Sequence, residues 1–367
     1  MQTNRRYWLK QIGIGVAGIG LTNLKTFASP TPDFFKYSSG ELPIKLSSNE
    51  NPYGPSPLAR NAMFENINIS NRYNWQLTSD LIAALAKKNN VTAENILMGA
   101  GSTEILDLVA RFAAQKRGNL IIADPSYAYW TDTAQKLGLS KITVPLTTGK
   151  KHDLTAMLLA IKPDSRLIYV CNPNNPTGTI CDRNALITFI NEAAKNAIVL
   201  VDEAYIDFTD QQSLSNLVIE NKNLIIAKTF SKIYGLAGAR VGYAIANTTT
   251  LEQISELQSW VNGSISVPST AAALASLKDE KFVSETYSLN EKIRKYTIEE
   301  LEKLGLICIP SYSNFIYFSL TNYKKSFFQQ LKKNNILGTK IYEEKGKWTR
   351  ITVGTMEEMK KFIASIQ

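Results

Sequence analysis

Residues 223–243 read NLIIAKTFSKIYGLAGARVGY. The run Leu224 to Ala227 is apolar and has the length of a buried strand. Beyond it come two hydroxyls, Thr229 and Ser231, then Lys232, then a glycine-rich turn carrying Arg240. A lysine just past a buried strand loses part of its hydration shell. Its pKa falls, and the neutral amine becomes available to attack a carbonyl. The hydroxyls and the guanidinium suit a phosphate dianion held close by. A Schiff-base lysine beside a phosphate site points to pyridoxal 5′-phosphate (PLP). On this stretch alone the competing reading is a solvated lysine at a strand-to-loop junction.

The neighbouring strands separate the two. Leu167 to Cys171 ends in Asn172-Pro173-Asn174-Asn175-Pro176-Thr177-Gly178, a rigid turn that points side-chain amides. Ala197 to Val201 ends in Asp202-Glu203-Ala204-Tyr205. A carboxylate at the end of a buried strand is costly unless it meets a cation. Upstream, Ile96 to Met98 leads through Gly99-Ala100-Gly101-Ser102-Thr103-Glu104 into an amphipathic helix that reaches about Ala114. Strand, small-residue loop and helix N-terminus make an anion site. Asn119 to Ala123 runs into Pro125-Ser126-Tyr127-Ala128-Tyr129-Trp130; aromatics past a strand end more often pack than bind ligands, but this edge favours a ring stacked on a flat cofactor. These are parallel strands in βαβ series with their polar ends on one edge, the edge at which open α/β sheets bind ligands.

Before this series, Lys45 to Pro57 (KLSSNENPYGPSP) is extended and turn-rich. A short helix follows over Ala59 to Ile67, then Asn71-Arg72-Tyr73-Asn74, then a helix from about Thr78 to Lys88. After Tyr243 the pattern changes. Leu251 to Asn262 reads as a helix, and residues 268–304 as a long charged helical stretch stopped by Gly305. Strands at Ile307 to Ile309, Phe315 to Leu320 and Arg350 to Val353, with helices around 324–334 and 357–366, predict a smaller α+β unit.

A chain of 367 residues is too long for one small core. Of the net charge of +9, four charges lie in residues 1–28, which hold no acid, leaving +5 on the rest. That is too mild and too dispersed for a nucleic-acid partner, and it is compatible with small anionic substrates. The three cysteines form no CxxC and no even framework, so neither a metal site nor a disulfide scaffold is expected. His152 is the only histidine, which leaves lysine, carboxylates, tyrosines or a cofactor to carry the chemistry. Residues 1–28 combine Arg5-Arg6, an apolar glycine-rich run from Ile12 to Leu24 and a small-residue site at Ala28. The run is short for a membrane span. Asn4-Arg5-Arg6-Tyr7-Trp8-Leu9-Lys10 resembles the twin-arginine export signal, with Asn4 in place of the commoner Ser or Thr. The expectation is a periplasmic or exported protein with no stable membrane association after signal removal. It would be cytoplasmic if the signal is not functional.

The motifs NENPYGPSP, PSYAYW, NPNNPTG, DEAY, TFSKIYGLAGARVGY and RITVGTMEEM stand in that order over roughly residues 42–367. Together they resemble a fold-type-I PLP-dependent aminotransferase, most similar to the histidinol-phosphate aminotransferase family. The resemblance implies an α/β fold, with a large PLP-binding domain whose central sheet is mostly parallel and a smaller α+β C-terminal domain. The corresponding bounds are a signal over 1–28, an arm over 29–47, the large domain over 48–262 and the small domain over 263–367. It implies catalysis by Lys232, which holds the cofactor as a Schiff base and moves the substrate's α-proton. Asp202 pairs with the pyridinium nitrogen, Asn175 and Tyr205 bond the ring 3-oxygen, and Tyr127 stacks on the ring. The phosphate is cradled by Ala100, Gly101, Ser102, Thr229, Ser231 and Arg240. Tyr73 reaches the phosphate of a second subunit in a homodimer. Arg350 forks the α-carboxylate, and Asn51 and Tyr53 line the side-chain pocket. The substrates implied are an L-amino acid and a 2-oxo acid. The alternatives are a lyase similar to threonine-phosphate decarboxylase, and a non-catalytic PLP-fold binding module. One position departs from the family: Ser319 stands where an arginine commonly binds the substrate phosphate, which counts against histidinol phosphate.

Overall fold

In a computed structural model, residues 42–367 are described, and residues 43–367 form one compact unit. The export-signal reading over 1–28 lies outside the described residues. The chain enters through a two-residue strand, β1 (Ile44–Lys45), and then builds seven strands of one sheet. These are β2 (Ile96–Gly99), β3 (Gly118–Asp124), β4 (Leu139–Pro145), β5 (Ser165–Cys171), β6 (Ile198–Asp202), β7 (Leu224–Thr229) and β8 (Gly242–Ala246). Their spatial order is β2-β8-β7-β6-β5-β3-β4. All neighbours pair in parallel except β8, which runs against both β2 and β7.

Every residue of β7 is buried, as expected for a strand covered on both faces. Its side chains alternate between two cores: Leu224 and Ile226 enter one, Ile225 and Ala227 the other. In β5, Leu167, Tyr169 and Cys171 face the second core, while Ile168 and Val170 face the first. Register brings Cys171 opposite Asp202 and Asp202 opposite Ala227. The expected polar strand ends therefore lie side by side on one edge.

The remaining strands are β9 (Ile307–Ile309), β10 (Phe315–Ser319), β11 (Ile336–Leu337), β12 (Ile341–Glu343) and β13 (Trp348–Thr352). Four of them form an antiparallel sheet in the order β12-β13-β10-β9, while β11 pairs with β1. Leu46, just after β1, packs into the core of this smaller sheet beside Ile316, Phe318 and Ile351.

Helix bounds differ from expectation at two places. The helix expected over 251–262 spans Thr248–Ser255, capped by the Asn247 side chain on the Thr249 amide. The long stretch over 268–304 is two helices, Val267–Lys278 and Glu280–Lys303. Asp279 breaks it: its backbone leaves the helical region and its carboxylate caps the Phe282 amide. The edge strand β4 has mostly exposed or half-exposed residues, so no apolar run announced it.

Candidate active site

The strand ends and the small sheet enclose a cleft of about 800 Å³. Lys232, Asp202, Tyr205, Ser102, Tyr127, Asn175, Thr229, Ser231, Arg240 and Arg350 all line it.

At one end, Thr229 and Ser231 hydroxyls bond each other at 2.9 Å, and Arg240 Nη1 donates to Ser231 Oγ at 3.3 Å. Arg240 Nη2 lies 3.5 Å from Thr103 Oγ1, in the first turn of helix Ser102–Ala113. Two glycines permit this approach. A Cβ on Gly242 would sit 2.2 Å from the Ser102 amide nitrogen, and one on Gly101 (φ +78°) would sit 2.3 Å from Arg240 Nη2. A guanidinium, three hydroxyls and a helix N-terminus at one point match a phosphate. The amides expected at the phosphate from Ala100 and Gly101 bond within their own loop in this structure. Ala100 N–H donates to Glu104 Oε2 at 2.5 Å and Gly101 N–H to Gly99 O at 2.8 Å, so both close the loop on itself.

Deeper in, Asp202 accepts from Tyr169 O–H at 2.9 Å and from the Ala204 amide at 3.1 Å. Burial pushes its pKa up to about 6 despite those bonds and the nearby Lys232 charge. A buried carboxylate under that strain gains from a cationic partner such as a protonated ring nitrogen. Lys232 moves the other way. Burial, then the Arg350 charge, lower it to about 8, so about a tenth is the neutral nucleophile at pH 7. Its Nζ lies 5.3 Å from the centre of the Tyr205 ring.

At the third corner, Arg350 is buried, with its guanidinium between the rings of Phe315 (5.3 Å) and Tyr342 (5.5 Å). Nη1 donates to Asn175 Oδ1 at 2.6 Å and Nη2 to Ser47 O at 2.7 Å, while Nε has no hydrogen-bond partner among the described residues. Guanidinium donors are thus left over for a carboxylate.

Two expected residues, Asn51 and Tyr53, stand elsewhere. The Asn51 amide donates to Ile233 O at 2.8 Å, and its oxygen accepts the Tyr53 amide at 3.0 Å. Both side chains border a separate small cavity with Asn314 and Val353, because the turn points them behind the cleft wall. The cleft is lined instead by their neighbours Ser48, Asn49 and Glu50. Tyr73 is 73% exposed and packs on Trp75 and Trp260, away from the cleft of its own chain. Ser319 is also absent from the cleft lining. It is buried opposite Trp348, and its hydroxyl donates to Gly346 O at 2.5 Å.

Sequence reading missed Asn49 and Thr103 in the cleft lining, Tyr342 at the cleft wall, and Tyr169 behind Asp202; Lys340, also at the wall, enters that reading only as a stand-in cation for a substrate phosphate. Thr103 sat inside a quoted loop and Tyr169 two residues before a strand end. Period-2 alternation from Cys171 could have placed Tyr169 on the same face. Tyr342 lies in the weak strand β12, and nothing local marked it.

Residues 42–366 match the family model for aminotransferase class I and II. The chain is 37% identical over 329 residues to a histidinol-phosphate aminotransferase of Moorella thermoacetica, covering 88% of this chain and 84% of that one. It is 34% identical over 327 residues to histidinol-phosphate aminotransferase 1 of Dechloromonas aromatica, covering 88% and 89%. The fold also matches a histidinol-phosphate aminotransferase of Sinorhizobium meliloti crystallised with pyridoxal-5′-phosphate. That match has a TM-score of 0.82 at 24% identity and covers 89% of this chain and 90% of that one.

Proposed function

This chain belongs to the class I and II aminotransferase family, and on that premise we propose how its residues divide the work of moving an amino group between an L-amino acid and a 2-oxo acid. The observation that carries the reading is the convergence of four unlike groups on one cleft. They are a lysine lowered to about 8, a buried carboxylate raised to about 6, a phosphate-sized cradle and a part-free guanidinium. PLP supplies a carbonyl for the lysine and an electron sink for the departing α-proton. The residues fit it, with Arg240, Ser231, Thr229 and Thr103 at the phosphate, Asp202 at the ring nitrogen and Tyr205 with Asn175 at the ring oxygen. Arg350 binds and orients the substrate carboxylate. Lys232 takes the α-proton from one face and returns it.

The finer substrate reading is a preference for amino acids with uncharged side chains, aromatic ones included, over histidinol phosphate. Among the described residues, the cations lining the cleft are Arg240, Arg350, Lys232 and Lys340; the first three are assigned above to the cofactor phosphate, the α-carboxylate and the cofactor carbonyl, which leaves Lys340, exposed and 5.6 Å from the Tyr342 ring. A buried phosphate dianion lacking one charge-assisted bond loses roughly 1.5–3 kcal/mol, about ten- to a hundredfold. The test is absorbance of the purified enzyme in half-reactions with phenylalanine, tyrosine, leucine and histidinol phosphate. No spectral change with any amino acid overturns the function. A clear preference for histidinol phosphate overturns the substrate reading and assigns the dianion to Lys340.

The homodimer is part of the same proposal. Tyr73, Trp75 and Trp260 form an exposed cluster with ring centroids 4.6–6.0 Å apart, an apolar surface of the kind that subunits bury. Sedimentation is expected to give twice the chain mass, and Tyr73→Phe to weaken PLP binding. A monomer with full PLP affinity excludes it. Export through Arg5 and Arg6 is proposed from sequence alone. Arg5→Lys with Arg6→Lys is expected to keep folded protein in the cytoplasm, and unchanged export would reject the signal.

A further inference from the structure

The Tyr205 hydroxyl receives two amide donors. Asn49 Nδ2 lies 3.0 Å from it and Asn175 Nδ2 3.2 Å. Neither amide is free to turn over. Asn175 Oδ1 faces Arg350 Nη1 at 2.6 Å, and a guanidinium only donates, so the opposite end toward Tyr205 is the NH₂. Thr352 holds Asn49 by a different route: a hydroxyl can donate or accept, but turning the amide over would take away Asn49 Oδ1, the acceptor of the Thr352 proton. Its Oγ1 accepts the Asn49 backbone N–H at 2.9 Å, and its own proton goes to Asn49 Oδ1 at 3.1 Å. Asn49 is 1% exposed and sits at φ 53°, a left-handed conformation that asparagine tolerates better than most residues. The Asn314 amide holds its carbonyl at 3.0 Å. Arg350 and Thr352 lie on the same face of β13, so one strand orients both amides.

With both lone-pair sites of the phenolic oxygen filled by N–H groups, its one proton must point elsewhere. Tyr205 lines the cleft. We propose that Asn49, locked by Thr352, is a positioning residue that makes Tyr205 a one-way hydrogen-bond donor into the cleft, toward the anionic oxygen of the bound cofactor ring. The inference rests on the PLP reading above, but it concerns a residue and a polarity that the reading does not need.

Asn49→Asp separates polarity from packing. Aspartate has the same shape, tolerates the same backbone and keeps an oxygen for Thr352. It would accept the Tyr205 proton and draw it away from the cleft. Asn49→Ala removes the donor without reversing it. A purely structural role predicts that alanine is the worse replacement; the polarity role predicts that aspartate is. The readout is titration of the apoenzyme with PLP, followed by tryptophan fluorescence, together with the pH at which the bound cofactor's absorbance changes. Asn49→Asp is expected to weaken PLP binding by about ten- to a hundredfold, the worth of one hydrogen bond to a charged group. It should also move the absorbance titration to higher pH, since a donor to an anionic oxygen favours the deprotonated chromophore. Asn49→Ala should fall between it and the parent. If Asn49→Asp does not fold, Thr352→Val and Thr352→Ser carry the test. Valine should shift the absorbance titration upward and serine should restore it. Aspartate behaving like the parent or better than alanine, or a valine variant with an unshifted titration, overturns the proposal. A parent that takes up no PLP overturns the functional reading along with it.

Discussion

Lys232→Ala is expected to abolish the lysine-dependent absorbance of the resting enzyme and to slow turnover by about three orders of magnitude or more. Two separate contributions vanish together: the nucleophile that holds the cofactor carbonyl and the base that moves the α-proton. The side chain suits both because burial and the Arg350 charge bring its pKa down to about 8. The neutral form is the reactive one, so its fraction rises with pH and reaches half near that value. PLP should still be retained weakly, because the Arg240, Ser231 and Thr229 cluster is untouched. The measurements are the absorbance spectrum and single-turnover rates with an amino acid. Turnover within tenfold of the parent would remove Lys232 from the mechanism, and with it the assignment of the cleft as the catalytic site.

Arg350→Ala should lower kcat/KM for both the amino acid and the oxo acid by about 10²–10⁴. A bidentate carboxylate loses two charge-assisted hydrogen bonds, each worth roughly 1.5–3 kcal/mol. Both substrates carry the same α-carboxylate, so both half-reactions should fall together. Arg350→Lys restores the charge but not the planar fork, and should recover only part of the loss. The ring stack between Phe315 and Tyr342 also favours a flat guanidinium over an ammonium. Steady-state kinetics with each substrate in turn decides the point; a loss confined to one of the two substrates would show that Arg350 binds something other than the shared carboxylate.

The sequence by itself determined the large sheet and the edge at which its chemistry gathers. Buried parallel strands are nearly continuous apolar runs, so Leu224 to Ala227, Leu167 to Cys171 and Ala197 to Val201 announced themselves. The residue that ends each run was necessarily at the ligand edge. Lys232, Asp202, Tyr205, Asn175 and Arg240 were legible for that reason, and all five line the cleft.

Which way a side chain leaves a turn was decided only by tertiary structure. In Asn49-Glu50-Asn51, no local pattern says that Asn49 enters the cleft while Asn51 turns to Ile233 O. Those directions are set by Thr352 and Asn314, about three hundred and about 265 residues further along the chain. The loop Gly99 to Ser102 likewise spends the Ala100 amide on Glu104, a contact that exists only once the helix has formed. Contacts that close over such separations leave no local periodicity to read, because the residues they join belong to different elements and meet only when both sheets have packed.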